Sequence, residues 1–476
     1  MRSLTCTILG IAASLALAAP ASAASVFYVR GGGYGHGVGM SQYGAYGYAL
    51  HGASYQTILG HYYQGTTLGA TSPNRIVRVL LKSGSAAFSG ATKAGSTPLI
   101  AGTTYSVQPL SGGSLALVDP SGRRVGTFSA PLTVSGPGPL VVAGLGRYRG
   151  SLEFRPAGGG VETVDALGLD DYVRGVVSAE MSASWSSQAL DAQAVAARTF
   201  AITSQVGGAA FDVYSDTRSQ AYRGVAAETR ATNAAVAATT GQIVTYGGRP
   251  AITYFFASSG GYTENVENVF GGSPQPWLRG VPDPYDGAGG DPYHHWGYRM
   301  SVAAAAGKLS GLVKGSLVGI KVLRHGASPR ILAASVVGTK GRTTVSGTGL
   351  QQRFGLLTTS AHFTTITTNA GAVARTARGP SAGHSLDVAK LTAATAAAVS
   401  DYVHQVLTPG VPIVYGTVFP GTRGSLLLVQ RLAGRRWQTV RRAHLGTGGS
   451  YRVKVPGAGS YRVVSAGLTG PTVRAG

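Results

Sequence analysis

The residue with the strongest claim to chemistry is Glu180, which ends a segment whose pattern predicts a helix. In DDYVRGVVSAEM, Tyr172, Val176 and Glu180 fall on one helical face. The negative end of the helix dipole and the apolar neighbours Met181 and Trp185 disfavour an ionised carboxylate, so we expect a raised pKa for Glu180. A carboxylic acid that stays protonated near neutral pH can protonate a leaving oxygen. Glu180 is therefore a candidate general acid; the alternative is a solvated residue at a helix end.

The remaining carboxylates are less distinctive. Asp170 and Asp171 form a pair, but they lie at the predicted start of the same helix, where acidic side chains stabilise the dipole, and Asp170 is the predicted N-cap. Asp191, Glu264 and Glu267 are the other candidates for a second carboxylate, but nothing in their local sequence distinguishes them from surface residues.

A second predicted helix, QALDAQAVAARTFAITSQ, follows with Ser186 or Ser187 as its cap. It carries Arg198 among alanine and apolar residues, where a cation is best paired with a carboxylate or a substrate oxygen. Gln193 lies on a neighbouring part of the same surface. The alternative for Arg198 is a hydrogen bond within the helix or at the edge of the core.

Histidine and cysteine give no metal signature. His36, His51 and His61 are candidate zinc ligands by residue type, but their spacing matches no zinc motif. The only cysteine, Cys6, lies in an N-terminal leader. The sequence therefore predicts neither a metal nor a cofactor.

The leader has the pattern of a secretory signal peptide, predicted at residues 1–24. Arg2 precedes an apolar run at 4–19 and the small-residue motif ASA at 21–23. The run is shorter than the roughly 20 residues of a membrane span, and no later segment is apolar enough to form one. We therefore expect a secreted protein of the cell wall or the extracellular space, without a transmembrane segment.

The charge is strongly positive and unevenly distributed. Forty Lys and Arg against 18 Asp and Glu give a formal net charge of +22. Such a charge favours anionic partners such as wall polymers, and export argues against nucleic acid. Fifteen of the 18 acidic residues lie between Glu153 and Asp291, so carboxylate chemistry is expected in the middle third of the chain.

The chain divides into segments of different pattern. Short apolar runs between Gly, Ser and Pro predict strands at about 74–164, and helical periods begin near 169, with a third helix at 226–240. Residues 371–407 have the composition of a linker, with a short helical piece as the alternative at 386–407, and alternating strands at 408–476 predict a small Ig-like β-sandwich. We therefore predict an α+β fold, in which a mixed β-rich catalytic domain at 25–370 has a few helices forming a cleft and is followed by a small all-β sandwich domain.

Several segments together resemble one family, the stage II sporulation protein D and LytB amidase-enhancer (SpoIID/LytB) family. They are YRGSLEF, LGLDDYVRGVVSAEMSASWSSQALDAQAVAARTFAI, SDTRSQAYRG, YFFASSGGYTENVENVFGG, WLRGVPDPYD, GLQQRFGLLTTSAHF and the opening GYGHGVGMSQYGA. The chain has Ser178 where the family has proline. The GHGVGMSQYGA segment, which comes near the end of the family's domain, leads here, as in a circular permutation. We therefore predict contact between residues 31–45 and Glu180.

The resemblance implies a lytic transglycosylase that cleaves the MurNAc-GlcNAc bond of peptidoglycan glycan strands, preferably peptide-stripped ones, with Glu180 as catalytic acid and base. Further residues are then expected to shape the glycan groove: His36, Ser41, Gln42, Gln193, Arg198, Gln220, Tyr222, Ser258 and Ser259. One glutamate suffices because the muramic acid 6-hydroxyl supplies the nucleophile, whereas hydrolysis usually needs two carboxylates.

Two questions stay open at this point. The alternative function is a non-catalytic peptidoglycan-binding protein that recruits or stimulates an N-acetylmuramoyl-L-alanine amidase. In the C-terminal segment, RLAGRRWQTVRR predicts either a basic face for anionic wall polymers or an edge strand protected by arginine.

Overall fold

The computed structural model describes residues 24–373 and 411–476. The predicted signal peptide, apart from Ala24, and the predicted linker, apart from residues 371–373, lie outside the described residues. The described fold is α+β, as predicted, with several separate sheets. No helix in these two ranges is long and apolar enough to cross a membrane.

Helices account for the smaller part of the described residues. They are α1 Gln42–Leu50, α2 Tyr55–Tyr62, α3 Leu169–Glu180, α4 Ser187–Thr203, α5 Arg230–Ala238, α6 Val266–Val269, α7 Val302–Lys308 and α8 Gly347–Phe354. Helix α3 ends at Glu180, as predicted, but its N-cap is Gly168, so the predicted cap at Asp170 is wrong. Asp170 lies in the first turn, where its carboxylate pairs with Arg198 instead of capping the helix.

The other two predicted helices are present. Helix α4 begins after Ser186, one of the two predicted caps. Helix α5 is shorter than the predicted 226–240, because Gly224–Ala227 forms a 3-10 turn and Thr229 caps the helix through reciprocal hydrogen bonds with Thr232.

Strands are numbered in chain order. Those before α3 are β1 Ala24–Gly31, β2 Met40–Ser41, β3 Thr67–Ala70, β4 Ile76–Gly84, β5 Ala86–Ser89, β6 Lys93–Ala94, β7 Thr97–Pro98, β8 Tyr105–Pro109, β9 Ser114–Val118, β10 Arg124–Ser129, β11 Leu132–Ser135, β12 Leu140–Val142, β13 Gly146–Tyr148, β14 Ser151–Ala157 and β15 Gly160–Gly168. Those after α4 are β16 Val213–Tyr214, β17 Gln242–Tyr246, β18 Arg249–Pro250, β19 Phe255–Phe256, β20 Trp296–Ser301, β21 Leu317–His325, β22 Ile331–Gly338, β23 Gly341–Ser346, β24 Ala361–Val373, β25 Val411–Phe419, β26 Leu426–Ala433, β27 Arg436–His444, β28 Ser450–Lys454, β29 Gly459–Ser465, β30 Leu468–Thr469 and β31 Val473–Ala475.

Two large sheets are built from the β-rich segment. One has the order β16-β4-β15-β14-β11-β6-β7, and the other has the order β10-β9-β8-β5-β12-β13. Strand β15 is buried along most of its length and leads directly into α3. The first of these sheets therefore fixes the start of the helix that ends at Glu180.

A third sheet joins the two ends of the described chain. Its order is β20-β1-β24-β25-β28, and β24 pairs with β25 from Thr365 opposite Phe419 to Val373 opposite Val411. The remaining C-terminal strands form an antiparallel sheet, β27-β26-β29-β30, with β31 on β29. Apolar residues of both sheets, such as Ile366 and Tyr461, share one core. The C-terminal strands are thus attached to the sheet that contains β1.

The glycine-rich N-terminal segment is part of the main core. Val38 and Met40 are fully buried in the same cluster as Tyr172, Val176 and Leu190 of the central helices. Burial of these side chains stabilises the segment against the helices that carry the candidate acid.

Candidate functional site

The carboxyl group of Glu180 is held by two hydrogen bonds from distant parts of the chain. Its Oε1 accepts from the backbone N–H of Ala221 at 2.7 Å, and its Oε2 accepts from Nε2 of Gln42 at 2.9 Å. Burial raises the pKa of Glu180 above its ordinary value, and the two hydrogen bonds oppose that rise. Burial thus favours the protonated form of Glu180, and the two hydrogen bonds favour its ionised form. A group that acts first as an acid and then as a base needs access to both forms.

Gln42 reaches this position through a short parallel pairing of β2 with β19, Met40 opposite Phe255. The pairing requires glycine at position 39, where φ is +76° and a Cβ would lie 2.1 Å from the carbonyl oxygen of Tyr254. Ser41 then caps α1, its Oγ accepting from Gly44 N at 3.1 Å, so Gln42 is the first helical residue. The predicted contact between residues 31–45 and Glu180 is confirmed.

A buried aspartate, Asp286, binds Ser41 and so fixes the start of α1. Its oxygens accept hydrogen bonds from five donors, which are Ser41 Oγ at 2.7 Å, Ser258 Oγ at 3.1 Å, Ser259 N at 2.9 Å, Gly260 N at 2.9 Å and His294 Nδ1 at 3.0 Å. Burial alone would raise the pKa of Asp286, but these hydrogen bonds hold it below its ordinary value. Ser41 and Ser258 are fully buried and Ser259 nearly so, so these three predicted groove residues act by positioning the segment.

Two buried side chains flank the Ala221 amide. The Tyr222 hydroxyl donates to Oδ2 of Asp165 at 2.7 Å, and Gln220 Nε2 donates to the Ala197 carbonyl at 3.3 Å. Both Gln220 and Tyr222 are buried, with exposed fractions of 1% and 4%. These predicted groove residues therefore anchor the loop that presents the Ala221 N–H to Glu180.

Arg198 and Gln193 have no exposed surface. The Arg198 Nε donates to Oδ1 of Asp170 at 2.6 Å, and Nη1 donates to the Gln242 carbonyl at 3.0 Å. The expected substrate contacts are thus replaced, for Arg198, by a buried ion pair that joins α4 to the start of α3. Gln193 lies on the same helix and is likewise buried away from the surface, where a substrate would bind.

His36 has both ring nitrogens engaged with the backbone. Nε2 donates to the Phe255 carbonyl at 2.9 Å, and Nδ1 accepts from Val38 N at 3.1 Å, which defines the neutral tautomer. Burial, aided by the charge of Arg330, lowers the pKa of His36 to about 4. His36 therefore shapes the loop as a neutral ring and has no free nitrogen for a substrate.

A set of half-exposed aromatic side chains, which we call the aromatic row, extends from α1. Its members in order are Tyr46, Trp185, Tyr43, Tyr293 and Tyr34. Successive ring centroids are 4.7, 4.9, 6.3 and 4.8 Å apart, and the rings of Tyr46 and Trp185 are parallel within 2°. Tyr46 lies one helical turn after Gln42 on the same face of α1, so the row begins beside the candidate acid.

Sequence reasoning missed several of these residues. Asp286 and Tyr293 lie in a Pro, Gly and Asp-rich stretch that has no periodicity, and only the aspartate-rich composition marks it. Asp165 lies in a strand, and the residue types around it do not indicate that its carboxyl group is buried. Ala221 acts through its backbone, so its residue type carries no signal.

One group in the described ranges brings three possible metal ligands together. Atoms of Asp286, Asp291 and His294 lie within 4.8 Å of one another. A cation there would compete with the five donors that already satisfy Asp286. The cluster is therefore best explained as a hydrogen-bonded support for the Ser41 segment.

Comparison with known proteins adds the family context. Residues 157–246 match the family described as Stage II sporulation protein (SpoIID). The chain is 32% identical over 190 residues to Stage II sporulation protein D of Bacillus subtilis, covering 34% of this chain and 55% of that one. It is 40% identical over 114 residues to the Amidase enhancer of Bacillus subtilis, covering 24% of this chain and 15% of that one.

A third relative is an uncharacterized protein of Brachyspira hyodysenteriae, 42% identical over 137 residues, which are 28% of this chain and 37% of that protein. This chain thus spans little more than half, or less, of each of these relatives. The family match contains Glu180 and Ala221, whereas Gln42 and Tyr43 lie outside it.

Proposed function

Because this chain belongs to the SpoIID family, we propose that it is a secreted lytic transglycosylase that cleaves the MurNAc-GlcNAc bond of peptidoglycan glycan strands. Family membership implies peptidoglycan-related activity; the reaction and its residues are our inference. The observation that carries it is Glu180, a single carboxyl group whose pKa burial raises and whose ionised form two donors stabilise.

The reaction needs one proton carrier. Protonated Glu180 would donate to the glycosidic oxygen as the bond from the muramic acid anomeric carbon to that oxygen breaks. The ionised carboxylate would then accept the proton of the muramic acid 6-hydroxyl as that oxygen bonds to the same carbon. An anhydro ring closes, no water is consumed, and Glu180 regains its proton. Gln42 and Ala221 would stabilise the ionised carboxylate between the two steps.

Two carboxyl groups that hold the segments next to Glu180 are unsuited to a second catalytic role. Asp165 is fully buried beneath Tyr222, and Asp286 is fully buried among five donors. Neither is available to activate a water on the opposite face of a sugar, as an inverting hydrolase requires. The surroundings of Glu180 thus suit an internal nucleophile.

The aromatic row supports a glycan as the ligand. Its two largest side chains next to the acid, Tyr43 and Trp185, are half-exposed, and neither uses its polar atom in a hydrogen bond within the described residues. In contrast, the indole N–H groups of Trp277 and Trp296 donate to backbone carbonyls. A ring with a free face and a free polar tip is suited to stack on the apolar face of a sugar.

The direct test is product analysis. Glycan strands, peptide-stripped or intact, would be incubated with the protein and the products analysed by mass spectrometry. We expect strands that end in anhydro-muramic acid, with no gain of water at each cleavage. Products with ordinary reducing ends, or no products from a protein that binds the strands, would contradict the transglycosylase assignment.

The similarity to a relative named Amidase enhancer favours a second candidate. In that case the chain would bind glycan without cleaving it and would stimulate an N-acetylmuramoyl-L-alanine amidase. Stimulation of amidase activity that is equal for the wild type and for Glu180→Gln would favour this function over catalysis.

A further inference from the structure

The described residues after His294 include many Lys and Arg side chains but no carboxylate side chain. Residues 295–373 contain nine Lys and Arg, residues 411–476 contain ten, and neither range contains an Asp or Glu. Every ion pair found in the described residues involves partners no later than His294. Within the described residues, this part of the molecule therefore presents a positive potential that no carboxylate of the two ranges offsets.

A cavity of about 820 Å³ lies inside this positive half, between β1, β21 and β24 on one side and the C-terminal strands on the other. Four basic side chains line it, namely Arg30, Lys321, His325 and His362, and none of its described lining residues is an Asp or Glu. Arg30 and His362 are direct cross-strand neighbours in β1 and β24. We call this cavity the basic cleft.

The positive charge of the cleft comes from Arg30 and Lys321, and the two histidines beside them offer ring N–H groups to an anion. Burial lowers the pKa of His362, and the neighbouring His325 and Arg30 lower it further, so His362 contributes as a neutral hydrogen-bond donor. Cations that lack a counter-charge favour the binding of an anion. A second cavity, of about 490 Å³, shares Arg30 and His362 and extends to Gly32, Gly260 and Trp296, whose indole N–H is bonded to the Gly33 carbonyl.

The lining argues against nucleic acid. The described residues that line the cleft include no Tyr or Trp, and the one Phe among them, Phe363, is buried with an exposed fraction of 3%. Proteins that bind single-stranded nucleic acid combine basic grooves with exposed rings on which bases stack. A polyanion that offers charged groups without bases, such as a phosphodiester-linked wall polymer, needs only the cations.

We propose that the basic cleft binds an anionic wall polymer that carries phosphodiester groups, through Arg30, Lys321, His325 and His362. Binding at the cleft is independent of the proposed catalytic role of Glu180, since Glu180 does not line either cavity. The C-terminal strands would then contribute to wall attachment by completing the cleft.

The test measures binding of the full mature protein to soluble poly(glycerol phosphate) at several salt concentrations. The variant Arg30→Gln/Lys321→Gln should lose about tenfold or more in affinity, and its slope of log K against log salt should fall by about 1.4, as for two lost contacts to a flexible polyanion. A matched control of equal charge change, Arg75→Gln/Lys93→Gln, should lose less than about twofold.

Three results would overturn the assignment: equal losses in the two double variants, no binding by the wild type, or binding of single-stranded DNA or polygalacturonate as tight as that of poly(glycerol phosphate). If the double variant is unstable, the single variants Lys321→Gln and Arg30→Lys are measured in its place. Arg30→Lys keeps the positive charge and should retain most of the affinity. Glu180→Gln should bind the polymer like the wild type, so failure of catalysis and failure of cleft binding are separable.

Discussion

The Nε2 atom of Gln42 lies 2.9 Å from the Oε2 atom of Glu180, although 138 positions separate the two residues. The contact joins the first residue of α1 to the last residue of α3, and the N–H of Ala221 reaches the same carboxyl from a third segment. Three separate parts of the chain therefore set the protonation state of one carboxyl group.

Removal of the Gln42 amide should change the pH dependence of catalysis. The amide stabilises the ionised carboxylate, so Gln42→Ala should raise the pKa of Glu180 further and move the alkaline limb of the pH-rate profile to higher pH. A hydrogen bond to a charged group contributes about 1.5–3 kcal/mol, so the rate of the first step, in which Glu180 gives up its proton, should fall about tenfold or more. Gln56→Ala, on the exposed side of α2, is the control. An unchanged profile would show that Gln42 does not act on Glu180.

The aromatic row should contribute to glycan affinity. Trp185→Ala and Tyr43→Ala should each weaken binding of glycan strands by about 0.5–1.5 kcal/mol, roughly twofold to tenfold, because each removes a stacking face. Binding is best measured in the Glu180→Gln background, so that cleavage does not interfere. Tyr415→Ala, a half-exposed tyrosine of β25, should leave affinity unchanged. Equal effects of all three variants would exclude the row as a binding surface.

Arg198 should contribute to stability through its buried ion pair. Arg198→Met leaves the Asp170 carboxylate without its partner and should lower the free energy of unfolding by about 3–5 kcal/mol in a urea titration. Arg198→Met/Asp170→Asn should recover much of that loss. Arg218→Met, which breaks an exposed pair with Asp216, should have no measurable effect. An Arg198→Met protein of normal stability that no longer binds glycan would instead place Arg198 in the groove.

Asp165 should make stability depend on pH. Burial raises the pKa of its carboxyl to about 8, well above the value of about 3.9 in an unfolded chain. The folded state thus binds the proton more tightly, so the stabilising contribution is complete below about pH 4 and is lost as the pH rises through about 8. Asp165→Asn should flatten the fall in the free energy of unfolding between these values, although Asp283, with a pKa near 7, keeps part of it. An identical pH dependence in the variant would contradict the buried, protonated state.

The sequence predicted the secondary-structure elements and the candidate acid more accurately than the side chains that would line the groove. Helical periodicity located the end of α3 at Glu180, and the resemblance located the Gln42 contact. The polar residues predicted to face substrate instead bond to one another, because a side chain's direction depends on tertiary packing: Arg198 turns to Asp170, and Ser41 turns to Asp286. Local pattern could not show that these partners, distant in sequence, would be adjacent.

The most direct test of the central claim compares the products of the wild type, Glu180→Gln and the control Glu162→Gln, a carboxylate of β15 with no side-chain hydrogen bond in the described residues. Cleavage of peptide-stripped glycan strands would be followed by mass spectrometry, with strand binding measured in parallel. We predict that Glu180→Gln reduces the formation of anhydro-muramic ends by about 10²–10⁴-fold while strand binding persists, and that Glu162→Gln cleaves at the wild-type rate. Undiminished cleavage by Glu180→Gln would contradict the assignment of Glu180 as the catalytic acid and base.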